Sequence, residues 1–218
     1  MTDDPRWRDE ARAMVAALGP VPPAIAAAMR SVPRHRFVPA TERDAAYRDE
    51  PLPLEAGGAT ISAPHMVALQ LEYAELGPGL AVLEIGSGSG YLAALMATLV
   101  VPGGRVRGVE LEPSLARLAT ARIRALHLDA TVEFRAGDGR LGWPEAAPFD
   151  RVVVSCATRE VLSAWTDGLA PGGFVVAPVG DAWEQRLVRY RTGPSGPVLE
   201  EGPACRFVAL RRAHPSDI

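Results

Sequence analysis

The segment "VLEIGSGSGYLAA", from Val82 to Ala94, places Gly86, Gly88 and Gly90 between a short apolar strand and a helix. Glycine lets the backbone turn tightly and approach a ligand, and the first turn of the helix offers free N–H groups. Counted from Gly88, the string "GSGYLA" also satisfies the G-x-G-x-x-A pattern of dinucleotide-binding proteins. The segment therefore predicts a nucleotide or nucleoside site, and it leaves a nicotinamide enzyme open.

Strand and helix patterns alternate around this loop. The predicted strands cover residues 81–86, 105–111, 131–138, 150–157 and 174–180, and the helices between them cover 90–100, 113–128 and 159–169. In the second helix Leu115, Leu118, Ile123 and Leu126 are expected to face the core. Strands that are each followed by a helix indicate βαβ units, hence an α/β protein with a mostly parallel sheet and helices on both faces.

The two ends of the chain have a different pattern. Helices are predicted at 8–18, 23–32 and 63–76, with proline-rich irregular segments between the last two. Residues 185–192 and 204–212 have strand-like content around the turn "GPSGP", which predicts an antiparallel C-terminal hairpin at the sheet edge. We expect a single domain (1–218) with a helical N-terminal extension over the active site (1–62), a cofactor-binding core (63–180) and antiparallel strands (181–218).

Composition excludes several classes of protein. The 218 residues carry a net charge of −3, and this weakly acidic balance argues against a protein that wraps nucleic acid. The two cysteines are far apart and outside any CxxC spacing, so neither a disulfide framework nor a metal site is expected. The acidic N-terminus and the lack of an apolar run of about 18 residues predict a cytoplasmic protein without membrane contact. We further expect a monomer.

Three acidic residues follow successive strands. Glu84 precedes the first glycine by two residues, where it would repel a pyrophosphate and favour a cationic ligand such as the sulfonium of S-adenosylmethionine. Glu110 ends the second strand, where an acid can accept both ribose hydroxyls. Asp138 could accept from an adenine amino group while Gly139 lets the ring pack closely, although an Asp-Gly pair can also be only a turn. Together the three acids favour a Rossmann-like class I methyltransferase that uses S-adenosyl-L-methionine.

Longer strings make this interpretation more specific. The segments are "VPRHRFVP", "YRDEPLPL", "ATISAPHM", "LEIGSGSGY", "GDGRLGWPEAAPFD" and "LAPGGFVVAPVG". Through them the chain resembles protein-L-isoaspartate O-methyltransferases over residues 32–179. The resemblance implies methyl transfer from S-adenosylmethionine to the α-carboxylate of L-isoaspartyl residues in peptides or proteins. The ester then forms a succinimide, whose hydrolysis returns some normal aspartate.

The resemblance also implies roles for individual residues. Ser62 matches the active-site hydroxyl, although "SAPH" could equally make it the N-cap of a helix. The loop that closes over the cofactor matches Ala59, Thr60, Ile61 and His65, and His65 could instead be a packed side chain. The remaining cofactor contacts expected from the family or from the glycine loop are Glu84, Gly86, Ser87, Gly88, Ser89, Gly90, Glu110, Leu111, Asp138 and Gly139. Arg34 and Arg36 could anchor an acceptor carboxylate, but a solvated surface position is the favoured interpretation.

Two segments depart from the family pattern. "SCATREVLSAW" has no proline where the family has a proline-flanked run near the acceptor, and "RFVAL" has Ala209 where the family has proline. The alternative function is therefore a carboxyl methyltransferase that modifies Asp, isoaspartate or a C-terminus in one dedicated biosynthetic peptide. A methyltransferase fold that only binds a peptide is a further alternative.

Overall fold

The computed structural model describes residues 6–193 and 196–213. Its strands are β1 (Leu52–Pro53), β2 (Thr60–Ile61), β3 (Ala81–Ile85), β4 (Arg105–Glu110), β5 (Val132–Ala136), β6 (Phe149–Val154), β7 (Leu169–Gly180), β8 (Gln185–Gly193) and β9 (Gly196–Cys205). Its helices are α1 (Arg6–Ala17), α2 (Pro23–Ser31), α3 (Pro64–Ala74), α4 (Tyr91–Val100), α5 (Pro113–Ala125) and α6 (Ser163–Thr166), with short 3-10 turns between some of them.

Seven strands form one sheet in the order β5-β4-β3-β6-β7-β8-β9. Strands β3 to β7 run parallel, and β8 and β9 return antiparallel at one edge. The predicted fold class, a mostly parallel Rossmann-like sheet with an antiparallel C-terminal hairpin, is confirmed. In such sheets ligands bind beyond the carboxyl ends of the strands where the strand order reverses, which here lies beside β3.

Strand β3 is the centre of the molecule because all five of its residues are buried. Its side chains alternate between two cores: Val82 packs with α2, α3, α4 and α5, whereas Leu83 and Ile85 pack with α6 and the loops of the opposite face. A strand that is covered on both faces has a continuous apolar sequence, as "AVLEI" does apart from Glu84. The buried Glu84 is therefore an exception that needs a functional explanation.

The helix predicted at 159–169 is wrong in length, since only α6 forms there. Ala157 and Thr158 are extended, because they bridge to Ala209 and Val179. The short helix is held by Trp165, whose buried indole N–H donates to the carbonyl of Gly139 at 2.8 Å. In α5, Leu115 and Ile123 face the core as predicted, but Leu118 is 37% exposed.

The antiparallel C-terminal hairpin is confirmed, but the predicted bounds of its second strand, 204–212, are wrong. The last strand is β9, so residues 206–213, here called the C-terminal segment, leave the sheet and cross the carboxyl ends of the parallel strands. Ala157 fixes this segment by donating to the carbonyl of Val208 (2.8 Å) and accepting from the N–H of Leu210 (2.7 Å). Strand β7 also begins at Leu169 rather than at residue 174. The turn predicted at 193–197 includes residues 194 and 195, which lie outside the described residues.

The N-terminal region supplies the other cover. Helices α1 and α2 pack together, α2 contacts α3 and α4, and β1 pairs with β2 so that the turn between them faces the glycine loop. Residues 1–5 of the predicted extension and 214–218 of the predicted C-terminal region lie outside the described residues. Across the part of the chain that is described, no helix is long and apolar enough to cross a membrane.

Candidate active site

The backbone of the glycine loop has a conformation that residues with a side chain adopt only with strain. Gly86, Gly88 and Gly90 have φ angles of +80°, +50° and +83°. A Cβ on Gly90 would also lie 3.0 Å from Cβ of Ala119. Left-handed φ angles at every second residue of this loop favour glycine. The glycine spacing is thus required by the shape of the loop, which brings its backbone to the mouth of a crevice beside β3.

Glu110 ties this loop to the end of β4. Its carboxylate accepts from the N–H of Gly88 at 2.7 Å and from the N–H of Glu112 at 2.9 Å, and the side chain is 5% exposed. Each carboxylate oxygen can accept more than one hydrogen bond. Glu110 is therefore oriented by the backbone and still has acceptor capacity toward the crevice that it lines.

The crevice has a volume of about 220 Å³. It lies between the turn that precedes β2, the ends of β3 and β4, and the C-terminal segment. Seven predicted residues line it: Ala59, Thr60, Gly86, Gly88, Glu110, Leu111 and Gly139. A Cβ on Gly139 would lie 2.6 Å from Ile85, which explains the glycine at that position. Together these residues form a largely apolar crevice with the carboxylate of Glu110 in its wall.

Sequence reasoning missed half of the crevice wall. The residues not predicted are Gly57, Gly58, Ser155, Cys156, Val208, Ala209, Leu210 and Arg211, besides the buried strand residues Ile85 and Val109. The C-terminal contribution was missed because those residues were predicted to be a strand. The string "RFVAL" is the available signal for this contribution, because it departs from the family pattern at a position that lines the crevice.

A smaller polar cavity of about 40 Å³ lies behind the glycine loop. It shares Thr60, Gly86, Gly88 and Ser155 with the crevice, and the predicted residues Ile61, Ser62, Glu84, Ser87 and Ser89 also line it. Glu84 Oε2, Ser87 Oγ and the hydroxyl of Tyr91 are buried and make no hydrogen bond within the described residues. Buried polar atoms are normally satisfied, so this group has the character of a site for a polar ligand group or water.

Burial raises the pKa of Glu84 well above its usual range, and the charge of Glu110 raises it further. The neutral form of Glu84 is therefore favoured when no cation is beside it. A cationic group in the small cavity would lower this pKa again, since an opposite charge stabilises the ionised carboxylate. The predicted role of Glu84 in attracting a sulfonium ligand stays a prediction that depends on this reversal.

Asp138 has a different environment from the predicted one. Its carboxylate accepts from the backbone N–H of Arg140 at 2.9 Å, from the guanidinium of Arg140 and from the N–H of Ala213 at 3.3 Å. The Arg140 guanidinium holds the pKa of Asp138 below its usual range. Only the neighbouring Gly139 lines the crevice. The adenine contact of Asp138 stays a prediction, and both oxygens already have partners.

Ser62 lies between the small cavity and a second, larger cavity of about 570 Å³. Helix α3 begins at Pro64 with Ala63 as its N-cap, so the alternative role of Ser62 as the N-cap is wrong. Its hydroxyl is half-buried and free of that structural task, while its carbonyl accepts from Arg34 at 2.8 Å. We call the larger cavity the acceptor cavity; it is lined by Pro51, Thr60, Ser62, Ala63, His65, Met66, Ser155 and residues 204–208.

The structure places His65 in the acceptor cavity and not in the crevice. Its side chain is exposed, and its Nδ1 lies 2.9 Å from Oδ1 of Asp49. The same carboxylate oxygen accepts from the backbone N–H of His65 at 2.9 Å. The expected cofactor contact of His65 stays a prediction, and the histidine joins the start of α3 to the loop before β1.

Arg34 is not the solvated surface residue that the sequence suggested. Its side chain is fully buried and donates to the carbonyls of Ala46 and Ser62, each at 2.8 Å. Its guanidinium also lies 5.1 Å from the ring centre of Tyr91. Burial lowers the pKa of Arg34 from its ordinary value. Arg34 thus holds the backbone at Ser62 and does not point at an acceptor, while Arg36 is half-buried.

The crevice and the acceptor cavity share Thr60, Ser155 and Val208 in their walls. The two spaces therefore adjoin at these residues, and Ser62 lies two positions after Thr60. A group held in the crevice can therefore meet a group held in the acceptor cavity. This arrangement suits the transfer of a small group between two bound molecules.

The sequence of this chain is similar to the sequences of known proteins. It is 44% identical over 187 residues to a protein-L-isoaspartate O-methyltransferase of Methanopyrus kandleri, covering 85% of this chain and 82% of the relative. A protein of the same name from Gloeobacter violaceus is 43% identical over 195 residues, covering 89% of this chain and 93% of the relative.

Solved structures give the same result. One named protein-L-isoaspartate O-methyltransferase superposes with a TM-score of 0.83 at 30% identity, covering 93% of this chain and 65% of the other. A second, named for the same activity and from Plasmodium falciparum, holds S-adenosyl-L-homocysteine; its TM-score is 0.80 at 25% identity, covering 93% of this chain and 98% of the other. A profile described as protein-L-isoaspartate(D-aspartate) O-methyltransferase matches residues 19–214. The chain therefore belongs to the protein-L-isoaspartate(D-aspartate) O-methyltransferase family.

Proposed function

We propose that this protein transfers the methyl group of S-adenosyl-L-methionine to the α-carboxylate of L-isoaspartyl residues in proteins and peptides. The observation that carries the proposal is the wall of Thr60, Ser155 and Val208 shared by the crevice and the acceptor cavity. Relatives that are named for this reaction and match most of the chain support it. They support repair of isoaspartate and not the modification of one dedicated peptide.

The residues on the crevice side fit an adenosyl ligand. Glu110 is oriented to accept ribose hydroxyls, and Gly139 lines the crevice with its backbone, because Ile85 fills the space that a side chain at this position would need. The unpartnered atoms of Glu84, Ser87 and Tyr91 in the small cavity fit the charged amino-acid portion. When bound, S-adenosylmethionine supplies a methyl group on a positively charged sulfur, which is reactive toward an oxygen nucleophile.

The acceptor requires no general base. A carboxyl group with a reference pKa of about 4 is ionised at neutral pH, so its oxygen is already nucleophilic. The protein's task is to align this oxygen with the methyl carbon and to exclude water, and such orientation can contribute about 7 to 11 kcal/mol. The Ser62 hydroxyl is placed to donate to one carboxylate oxygen while the other attacks. Arg34 keeps the Ser62 backbone in place.

The product leaves the enzyme as a methyl ester and forms a succinimide without further catalysis, so the site needs no group for the later steps. The proposal places this enzyme in the cytoplasm as a monomer whose partners are damaged polypeptides. The weakly acidic net charge of −3 supports protein rather than nucleic-acid substrates.

A direct test compares two peptides that differ in one linkage. The protein is incubated with methyl-labelled S-adenosylmethionine and a peptide that contains either L-isoaspartate or normal L-aspartate at the same position. We expect base-labile label only in the isoaspartyl peptide. Equal labelling of both peptides, or labelling only at a C-terminal carboxylate, would contradict the proposed acceptor and favour a peptide-tailoring enzyme.

A further inference from the structure

A fourth cavity adjoins the active site and has no assigned task. It measures about 630 Å³ and shares Arg206 and Phe207 with the acceptor cavity, so the two are neighbours along the C-terminal segment. Its other walls are the loop after β6 and the turn between β7 and β8. We call it the arginine basin, after the four arginines in its lining: Arg140, Arg159, Arg206 and Arg212.

The charges of the basin are only partly neutralised. Arg140 is paired with Asp138. Arg206 and Arg212 are exposed, and neither forms an ion pair within residues 6–193 and 196–213. The basin therefore presents two arginines without acidic partners, in a chain whose net charge is −3.

Two acids also line the basin, but they do not cancel these charges. Asp181 Oδ1 accepts from the backbone N–H groups of Trp183 (2.7 Å) and Glu184 (2.9 Å), which together lower the pKa of Asp181. Its carboxylate also interacts with Arg159. Glu160 is exposed. Counting Arg159, Arg206 and Arg212 against these two acids leaves the basin with one positive charge in excess.

The backbone beneath the arginines is held in place. Thr158 donates to the carbonyl of Pro178 at 3.0 Å and accepts from the N–H of Gly180 at 2.9 Å. Ala157 bonds the C-terminal segment on the other side. The backbone near Arg159 and Arg206 is therefore held by hydrogen bonds, so the distance between their Cα atoms does not depend on a ligand. An anchored backbone lowers the ordering cost of binding, although the exposed arginine side chains must still be ordered by the ligand.

We propose that the arginine basin binds an acidic side chain of the acceptor polypeptide that flanks the isoaspartyl residue. The inference rests on the proposed function, because it assumes that a polypeptide enters the acceptor cavity beside Ser62. A chain leaving that cavity past Arg206 and Phe207 enters the basin directly. The basin makes the enzyme select isoaspartyl sites in acidic surroundings.

The test uses two isoaspartyl peptides that carry either two Glu or two Gln within three residues of the isoaspartate, on either flank. The ratio of kcat/KM for the Glu peptide to that for the Gln peptide is measured for the protein and for an Arg159→Gln/Arg206→Gln/Arg212→Gln variant. Arg117→Gln, an exposed change on α5, is the matched control. Binding of the same peptides, labelled with a fluorophore, is measured by anisotropy.

We expect the ratio to exceed 1 and to fall about 2- to 5-fold for each arginine removed, as for exposed ion pairs. It should also fall when salt is raised to 0.5 M, because salt screens exposed charges; this arm needs no variant. Arg117→Gln should leave the ratio unchanged. A ratio of 1 in the unmodified protein, or one that the triple variant and salt leave unaltered, overturns the inference.

The binding arm separates the two proposals. If neither peptide is methylated but the Glu peptide binds more tightly and the triple variant loses that preference, the basin is supported and the proposed reaction fails. If both peptides are methylated and bound equally, the reaction stands and the basin inference fails.

Discussion

The crevice side and the acceptor side of this active site differ in whether backbone or side chains form most of the wall. The crevice is made of backbone in left-handed conformations and of Glu110, whose orientation is fixed by two N–H groups. The acceptor cavity and the arginine basin are bordered in part by exposed side chains of loops and of the C-terminal segment, including Arg159 and Arg206. Backbone geometry tolerates few substitutions, whereas exposed side chains change freely, so the crevice should bind one ligand and the acceptor side should set selectivity.

The largest expected effect is on the crevice side. Glu110→Gln replaces one acceptor oxygen by an NH₂ group that faces a backbone N–H, either of Gly88 or of Glu112. Loss of a buried charge-assisted bond costs about 1.5 to 3 kcal/mol, and the ribose contact would be lost as well. We expect affinity for S-adenosylhomocysteine to fall about 100-fold or more, measured by calorimetry.

The matched control is Glu133→Gln. Glu133 is exposed on the neighbouring strand β5 and pairs with Arg107. An exposed pair contributes little, so the affinity should be unchanged within error. If Glu110→Gln bound the ligand as tightly as this control, the ribose would be held by other residues and the crevice assignment would be wrong.

Ser62→Ala should separate the two sides. Ser62 borders the acceptor cavity and is absent from the crevice wall. Loss of a hydrogen bond to a charged group costs about 1.5 to 3 kcal/mol, which corresponds to a 10- to 100-fold lower kcat. Affinity for the cofactor should fall by a smaller factor than kcat, because Ser62 lines the small cavity but not the crevice. Ser163→Ala, an exposed serine that begins α6, serves as the control; a collapse of cofactor affinity in Ser62→Ala would contradict its assignment to the acceptor.

The contrast between Glu110 and Ser62 explains why the crevice is easier to predict from the sequence than the acceptor side. Glycines in a left-handed loop and an acid at a strand end leave a pattern in the sequence, because no other residue type fits. The βαβ alternation was equally visible and predicted the parallel sheet correctly. The errors were at positions that depend on distant contacts. Ala157 and Thr158, just before the helix predicted at 159–169, are extended because they bridge to Ala209 and Val179, about 50 and 20 positions away.

The acceptor side was predicted less well for the same reason. The sequence around Arg34 is polar, and nothing local shows that its guanidinium is buried against the carbonyls of Ala46 and Ser62. The string that contains Val208 has strand-like composition, yet it crosses the crevice because its partner is Ala157 and not β8. Asp138 follows the expected motif, but the nearby Arg140 occupies its carboxylate.

An effect of intermediate size is expected from the protonation of Glu84. Burial raises the pKa of Glu84, so free protein carries a proton there at pH values between the ordinary and the raised pKa. A cationic ligand would lower this pKa and release the proton, so affinity should rise with pH over that interval, by at most about 10-fold per unit. Calorimetry in buffers of different ionisation enthalpy counts the protons. Release that persists in Glu84→Gln would show that another group titrates.

The smallest expected effect lies on the C-terminal segment, where the two sides meet. Arg211 lines the crevice and pairs with Glu112 at 2.8 Å, which ties the segment to the start of α5. Both side chains are partly exposed, so the pair should contribute about 0.2 to 1 kcal/mol. Arg211→Gln should therefore weaken cofactor affinity about 2- to 4-fold and leave the ratio of rates on Glu- and Gln-flanked peptides unaltered, because Arg211 does not line the basin. Arg212→Gln should do the reverse, since Arg212 lines the basin and not the crevice. If both neighbouring variants changed both quantities together, the segment would act as one unit, and the division between a cofactor side and an acceptor side would not hold there.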